Sequence, residues 1–333
     1  MTRILHPDAS AILEAAALIR EGGLVAFPTE TVYGLGADAT NGQAVAKIFS
    51  AKGRPSFNPL IAHGSSLEML LGEAVFDARA FSLADKFWPG PLTLILPKAA
   101  GSRICDLVTA GLDTVALRIP HHKVALELIA ACGVPVAAPS ANASGELSPT
   151  APHHVAASLG DGVPLILAGG TTQYGLESTV VDLSGPETVI VRPGAISAED
   201  IADCLECFVT YDFGVKEAAD KPRSPGQLLR HYAPSRPLRL RAVDVAPDEA
   251  LLAFGSLKFM GVQGGGKASD LPESQCLNLS EKGDVLEAAA HLFAYLRALD
   301  EPQFSRIAVM DIPESGIGIA INDRLRRAAQ AKG

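Results

Sequence analysis

Five polar clusters follow short apolar runs in the first 200 residues of this 333-residue chain. They start at Pro28, Lys52, Pro139, Leu176 and Arg192. Their hydroxyl, amide and basic groups can bind an anionic ligand, and none has the G-x-S-x-G spacing of a nucleophile elbow. Because open α/β sheets bind ligands at the carboxyl ends of their strands, we expect the five clusters to converge on one site.

The second cluster contains Lys52 and Arg54, which stand two residues apart with a glycine between them. This spacing suits a phosphate chain, since lysine acts as a point charge and arginine as a bidentate fork. For each cluster taken singly, ordinary turn chemistry or solvated surface charge is the alternative. Five clusters at predicted strand ends within one domain favour a ligand site.

Four other motifs are not expected to form functional sites. The segment Gly261–Ala268 is similar to a P-loop but ends in alanine, which cannot coordinate Mg²⁺, so a flexible loop is predicted. Gly34-Leu-Gly36 matches a loose dinucleotide fingerprint, but no strand is predicted to run into it. Cys204 and Cys207 form one pair without a second, so no zinc site is expected. The adjacent pair His121-His122 is predicted to lie on the surface.

Charge and composition exclude some classes of protein. The net charge of −9 argues against coating nucleic acid by bulk attraction. Five sparse cysteines do not suggest a disulfide framework. The first residues lack the apolar stretch of a signal peptide, and no apolar run approaches the roughly 20 residues that span a bilayer. We therefore expect a cytoplasmic protein without membrane association.

Helices and strands alternate over residues 1–211, which predicts one α/β domain. Apolar residues at helical spacing, or short apolar runs closed by proline or glycine, mark its elements. The predicted helices lie at 6–22, 43–51, 123–131 and 197–207. The predicted strands lie at 24–27, 92–96, 115–119, 134–138, 165–167, 180–183 and 189–191.

The composition changes near residue 212. Between Lys221 and Arg241 there are six basic residues, four prolines and no acidic residue. This pattern predicts an extended basic linker over 212–237, with a plain spacer as the alternative. Strands at 251–254 and 306–310 and helices at 284–299 and 321–331 then predict a smaller α/β domain over 238–333.

Several segments together resemble the signature of the YrdC-like domain family. They are Lys52-Gly-Arg-Pro, Phe87-Trp-Pro-Gly-Pro-Leu-Thr, Val115-Ala-Leu-Arg-Ile-Pro and Pro139-Ser-Ala-Asn-x-Ser-Gly. Ser224-Pro-Gly, His231-Tyr-Ala-Pro and Ile321-Asn-Asp-Arg-Leu resemble the long form of that family. The resemblance implies an α/β fold, with a twisted mixed-sheet YrdC-like domain and a smaller C-terminal α/β domain. It also implies synthesis of threonylcarbamoyl-AMP from L-threonine, bicarbonate and ATP with release of pyrophosphate, for threonylcarbamoyladenosine modification of tRNA.

Residue roles follow from the resemblance, position by position. It implies a catalytic set of Lys52, Arg54, Ser140 and Asn142. It implies an ATP-binding set of Lys52, Asn58, Thr114, Ser140, Ser148, Arg192 and Tyr232, with Mg²⁺ accompanying ATP and no separate metal site. It implies a threonine-binding set of Thr29, His63, Arg118, Ala138 and Ser178. The linker is expected to act as a lid, with Tyr232 over the nucleotide; it departs from the family at Gln227-Leu-Leu, where other members carry methionine and a basic residue.

The implied partners beyond the substrates are threonylcarbamoyl-transfer proteins and, indirectly, tRNA. Three other functions fit parts of the sequence. An RNA-binding module without catalysis is disfavoured by the acidic charge and by the lack of an aromatic and basic stripe. A carbamoyl-transfer maturation enzyme would need additional zinc-finger parts. An amino-acid sensor would bind threonine without turnover.

Overall fold

The computed structural model describes residues 2–213 and 231–330. Within these ranges the chain divides into two compact units. The larger unit holds the described residues of 1–144, 149–173 and 177–228, and the smaller holds 145–148, 174–176 and the described residues of 229–333. Most of the predicted linker and lid over 212–237 lies outside the described residues. No helix in the described ranges is long and apolar enough to cross a membrane.

The larger unit is built on a mixed sheet of eleven strands among its described residues. The strands are β1 Arg3–Leu5, β2 Val25–Phe27, β3 Gly34–Asp38, β4 Ile61–His63, β5 Leu92–Pro97, β6 Thr114–Arg118, β7 Val136–Ala137, β8 Leu165–Leu167, β9 Thr179–Asp182, β10 Thr188–Arg192 and β11 Val209–Tyr211. Their order across the sheet is β1-β8-β2-β3-β7-β4-β6-β5-β9-β10-β11. The helices are α1 Ala9–Arg20, α2 Gly42–Lys52, α3 Leu67–Leu71, α4 Ala78–Phe87, α5 Asp106–Thr109, α6 Lys123–Cys132, α7 Pro152–Leu159 and α8 Ala198–Leu205.

The Lys-Gly-Arg motif lies at the end of α2. Asn41 begins this helix by accepting hydrogen bonds from the first-turn amides, and Gly53 ends it in the left-handed conformation at φ 57°. Only glycine adopts that conformation without strain, which explains the glycine between the two basic residues. Lys52 is therefore the last helical residue, and Arg54 follows the turn.

Successive side chains of a strand point to opposite faces of the sheet, and the core divides accordingly. Residues of α2, α4, α5, α7 and α8 pack with Leu94, Leu117 and their neighbours on one face. On the other face, α1 and α6 pack on β2, β7 and β8. His63 of β4 lies opposite Val136 of β7, so it shares this second face. There, over β4, β5, β6, β9 and β10, a small apolar cluster of strand residues lies beside polar side chains.

The expected α/β fold is confirmed, with differences in detail. The segment from Gly34 is itself a strand, β3. A Cβ on Gly36 would lie 2.7 Å from Cε1 of Phe27, and the glycine therefore makes room for that ring. The strands β1 and β4 and the helices α3, α4, α5 and α7 were not predicted.

The smaller unit contains a four-stranded parallel sheet in the order β12-β17-β14-β16 and a separate parallel pair, β13 with β15. Its strands are β12 Leu238–Arg239, β13 Asp244–Val245, β14 Glu249–Ala253, β15 Gly261–Val262, β16 Cys276–Asn278 and β17 Arg306–Val309, and its helices are α9 Val285–Leu299 and α10 Gly318–Ala329. The P-loop-like segment consists of β15 followed by a glycine turn, and the next turn, Ala268–Asp270, is a single 3₁₀ turn. Gly261 and Val262, which were predicted to lie in a flexible loop, are therefore part of a strand instead.

Two short segments from the first 180 residues belong to the smaller unit. Gly145 accepts a hydrogen bond from the amide of Ala233 at 2.8 Å. Gly175, at φ 69°, approaches α9 so closely that a Cβ would lie 2.5 Å from the carbonyl oxygen of Ala289. Only glycine fits there, so the segment at 174–176 is built to lie against that helix.

Candidate functional site

One row of side chains crosses five neighbouring strands on the face that α1 and α6 partly cover. His63 lies opposite Arg118, and the register of β5 with β6 brings Thr93 opposite Arg118 on the other side. Thr93 in turn lies beside Val180, and Val180 beside Arg192. Strands are about 4.8 Å apart, so the row is about 19 Å long. All five side chains are buried.

A β-bulge brings Arg192 into this row. Ile190 pairs with Val181, but the next pair is Arg192 with Val180, so β10 contains one extra residue. Strict alternation after Ile190 would turn Arg192 to the face of Ile190, and the bulge places it on the face of Val180 instead. In the bulged strand its Nε and Nη2 donate to the carbonyl oxygen of Ser178 at 3.1 and 3.0 Å, and Nη2 also donates to the Ser178 hydroxyl at 3.0 Å.

Arg118 is held by the polar turn after β2. Its Nη2 donates to Oε1 of Glu30 at 2.7 Å and to Oγ1 of Thr31 at 2.9 Å. The Thr31 hydroxyl lies 2.7 Å from the Thr29 hydroxyl. Glu30 and Thr31 were not assigned to the site from the sequence, although a carboxylate between two hydroxyls after a buried strand was a visible signal.

His63 is a buried, neutral imidazole. Burial lowers its pKa to about 3, and the neighbouring charges of Arg118 and Arg192 act in the same direction. Its Nδ1 has no hydrogen-bond partner in the part of the chain that the structure describes. Buried polar atoms are normally paired, so this nitrogen is suited to a ligand contact.

The depressed pKa of His63 predicts a pH dependence of stability. The unfolded chain takes up a proton below the ordinary pKa of 6.5, whereas the folded chain resists it until about pH 3, so stability is lost as pH falls through this window. Replacing His63 by glutamine should remove the effect. From pH 7 to pH 5, wild type should lose about 2 kcal/mol more unfolding free energy than His63→Gln in urea titrations. Parallel losses in both proteins would contradict the assignment.

The threonine set predicted from the resemblance lies on this face. The Ser178 hydroxyl is 2.8 Å from that of Thr93, a polar residue in an apolar strand that the sequence reasoning missed. Ala138 directly follows β7, the neighbour of β4, and its amide donates to the carbonyl oxygen of Ile61 at 3.0 Å. The structure thus brings Ala138 and Ser178 together with Thr29, His63 and Arg118. Their role in binding threonine stays a prediction.

Lys52 joins the end of α2 to the loop after β7. Its ammonium donates to the carbonyl oxygen of Ser140 at 2.6 Å and to that of Asn142. The loop is also bridged to the start of β3, since Ser140 pairs with Gly34. Three of the four residues predicted to be catalytic therefore meet beside the turn that holds Arg118.

Arg54 and Asn58 lie on the neighbouring loop. Nη2 of Arg54 donates to the carbonyl oxygen of Pro59 at 2.9 Å, which folds the loop around the guanidinium. The side-chain amide of Asn58 is 1% exposed, and neither its oxygen nor its nitrogen has a partner among the described residues. Leaving both unpaired would cost about 1–3 kcal/mol each, so the amide is suited to a ligand that both donates and accepts.

Three predicted ATP contacts lie farther away or in the other unit. Thr114 shares the face of Arg118 but lies at the opposite end of β6, about 13 Å along the strand. Ser148 and Tyr232 belong to the smaller unit, where the Tyr232 ring stacks on Phe293 at a centroid distance of 5.6 Å. The ATP contacts predicted for these three residues stay predictions.

His122 corrects another expectation. His121 is exposed as predicted, but His122 is half-buried at the start of α6. Its Cε1 lies 3.2 Å from where a Cβ on Gly169 would be. Burial lowers the pKa of His122, while the charge of Glu30 acts in the opposite direction. The site thus extends to a histidine that adjacency in sequence had suggested was a surface residue.

Known proteins and family models match this chain over nearly its whole length. The Sua5/YciO/YrdC family model, described as Telomere recombination, matches residues 17–194, and the model described as Threonylcarbamoyl-AMP synthase, C-terminal domain, matches residues 196–330. The threonylcarbamoyl-AMP synthase of Bacillus subtilis is 42% identical over 326 residues, covering 96% of this chain and 92% of the relative. That of Pyrococcus abyssi is also 42% identical, with 95% and 93% covered. The crystal structure of P. abyssi Sua5 complexed with L-threonine superposes with a TM-score of 0.86 at 37% identity, covering 100% of this chain and 98% of the other.

Proposed function

This chain belongs to the threonylcarbamoyl-AMP synthase family, and we propose how its larger unit joins L-threonine, bicarbonate and ATP. The protein is the enzyme that makes L-threonylcarbamoyladenylate for threonylcarbamoyladenosine modification of tRNA, with release of pyrophosphate. One observation carries the proposal for the site. A buried guanidinium, Arg118, lies in one row with a neutral imidazole, and beside it a buried ammonium, Lys52, is fixed by two carbonyl oxygens.

Arg118 binds the carboxylate of threonine in this proposal, because a guanidinium forms charge-assisted hydrogen bonds with a carboxylate. The neutral ring of His63 and the hydroxyl of Ser178 offer uncharged polar contacts on either side of it. These are suited to the hydroxyl of threonine, which can donate and accept. Arg54, Lys52 and Arg192 supply positive charge for the phosphates of ATP.

The reaction then proceeds in two steps. The amine of threonine attacks the carbon of bicarbonate, water leaves, and a carbamate forms. An oxygen of the carbamate attacks the α-phosphorus of ATP in line and expels pyrophosphate. Phosphoryl and nucleotidyl transfers of this kind require mainly positioning and charge neutralisation from the protein, which fits a site of fixed cations.

We propose that Mg²⁺ enters with ATP as part of the substrate, bridging phosphate oxygens. Three cationic side chains neutralise only part of the nucleotide charge. Chelation by EDTA should therefore lower pyrophosphate release at least about 100-fold, and excess Mg²⁺ should restore it. Threonine binding measured by calorimetry without nucleotide is the control and should not respond to EDTA. Full activity in EDTA would contradict the proposal.

The cellular setting is also a proposal. The chain works in the cytoplasm, and its labile product passes to threonylcarbamoyl-transfer proteins that act on tRNA. The acidic net charge supports an indirect relation to tRNA, since a protein with this charge does not attract polyanions over its whole surface.

Isotope labelling tests the proposed chemistry. The purified protein is incubated with MgATP, L-threonine and ¹³C-bicarbonate, and the adenylate product is analysed by mass spectrometry. The proposal predicts one labelled carbon in an adenylate that also contains threonine. An unlabelled threonine adenylate would contradict the carbamate step, and no adenylate at all would contradict the function.

A further inference from the structure

The carboxylate of Glu30 is buried and only half used. Its side chain is 2% exposed, and Oε1 accepts the hydrogen bond from Arg118 at 2.7 Å. The second oxygen, Oε2, is also buried and has no hydrogen-bond partner among the described residues. Buried carboxylate oxygens are normally paired, because an unpaired one loses its hydration without compensation. Oε2 is therefore suited to a donor that comes with the substrate.

The turn that carries Glu30 does not need this carboxylate to fold. The hydroxyl of Thr29 accepts from the amides of Thr31 and Val32 at 3.1 and 3.2 Å and donates to the carbonyl oxygen of Val32 at 2.7 Å. These bonds close the backbone around Glu30 without its side chain. Arg118 donates to only one carboxylate oxygen, so the ion pair with Arg118 does not explain why the second oxygen is buried.

The charged and titratable groups around Glu30 come from three elements. Arg118 comes from β6, His63 lies beside it on β4, and His122 stands at the start of α6. An amino acid presents a carboxylate and an ammonium two bonds apart through Cα. A neighbouring guanidinium and carboxylate carry the opposite charges in the matching arrangement. Arg118 can bind the carboxylate of the amino acid, and Glu30 can bind its ammonium.

Building on the proposed function, we propose that Glu30 binds the α-amino group of the amino-acid substrate through Oε2 and takes the proton that this group must lose before it attacks bicarbonate. In this step an N–H bond of the ammonium breaks and an O–H bond forms on Glu30. The neutral amine then adds to the carbon of bicarbonate and a C–N bond forms. A C–O bond of bicarbonate breaks, and its hydroxide leaves as water with one proton from nitrogen. Glu30 returns its proton to solvent after the product departs.

A substrate analogue separates this role from a general structural one. (R)-3-Hydroxybutanoate keeps the carboxylate and the hydroxyl of L-threonine but lacks the amino group. Dissociation constants for both ligands are measured by calorimetry on wild type and on Glu30→Gln. Loss of one charge-assisted hydrogen bond should weaken threonine binding about 10- to 100-fold in the variant, while binding of the analogue changes less than about twofold.

Glu73→Gln is a matched control. Glu73 is also a buried carboxylate paired with an arginine, Arg103, at 2.8 Å. It lies near Pro97, at the end of β5 opposite to Thr93. This variant should bind both ligands as wild type does.

The pH dependence of kcat gives a second readout. Without the carboxylate, Glu30→Gln must bind threonine whose amine is already neutral. At pH values below the pKa of that amine, the ratio of the variant's rate to the wild-type rate should increase about tenfold for each unit by which the pH is raised. A residue that only supports the fold would lower the rate by a constant factor instead.

Each outcome decides between the claims. Equal weakening of both ligands in Glu30→Gln would mean that Glu30 acts through Arg118, and unchanged threonine binding would mean that it does not contact the amine; either overturns the proposal. If wild type binds threonine and the analogue equally well, the proposal also fails, even where the variant does not fold. If wild type binds neither ligand, the proposed function itself fails.

Discussion

Replacement of Lys52 by alanine should lower kcat for pyrophosphate release about 10²- to 10³-fold, equivalent to about 2.7–4 kcal/mol of transition-state stabilisation. The ammonium is 3% exposed and is fixed by the carbonyl oxygens of Ser140 and Asn142. A cation held in advance costs little reorganisation when negative charge develops on the phosphates, and burial strengthens its interaction with that charge. Alanine removes both the charge and the link between α2 and the loop.

Lys47→Ala is the matched control for Lys52. Lys47 lies on the same helix, and its ammonium donates to the carbonyl oxygen of Gly22 at 2.6 Å, away from the polar row. The account predicts wild-type turnover in this variant. Circular dichroism checks that both variants are folded. Wild-type turnover in folded Lys52→Ala would remove Lys52 from the proposed chemistry.

Replacement of Arg118 by methionine should remove threonine binding and also lower the unfolding free energy by about 3–5 kcal/mol. The guanidinium and its partner Glu30 are both buried, at 4% and 2% exposure. Removing one charge leaves the other without compensation in a site that excludes water. Urea unfolding measures the stability, and calorimetry measures the affinity for threonine.

A double variant separates the two effects of Arg118. Adding Glu30→Gln to Arg118→Met removes the uncompensated charge, so most of the lost stability should return, whereas threonine binding should not. Arg103→Met, which removes the partner of Glu73, is the control for binding and should leave the affinity for threonine unchanged. Recovery of threonine binding together with stability would contradict a direct contact between Arg118 and the substrate.

The Lys-Gly-Arg motif shows what the sequence could predict. Helical spacing before Lys52 and the glycine after it are local signals, and the structure ends α2 at that point. Buried strands that run directly into polar residues were recognised in the same way, as with Arg118 at the end of β6. Local patterns therefore indicated which residues follow the strands.

The arrangement of those residues depends on pairing between distant segments. His63 and Arg118 meet because β4 pairs with β6, a long-range pairing that the local sequence does not show. Arg192 reaches the same face only through a bulge, which shifts the alternation by one residue. The lack of a partner for Oε2 of Glu30 among the described residues is likewise a property of packing, because the sequence does not show that Arg118 binds only one of the two oxygens.

Local sequence patterns also could not predict which segments belong to which compact unit. Residues 145–148 and 174–176 follow strands of the first 180 residues, yet they belong to the smaller unit. The close approach of Gly175 to α9 involves residues more than 100 positions apart in the chain. Composition marked the change near residue 212, but it could not show that earlier segments cross to the later unit.

Pyrophosphate release tests the central claim most directly. The purified full chain is incubated with MgATP and each amino acid in turn, with bicarbonate present or depleted, and pyrophosphate is measured over time. The account predicts release only when L-threonine and bicarbonate are both present. Release that ignores either substrate, or no release under any of these conditions, would contradict it.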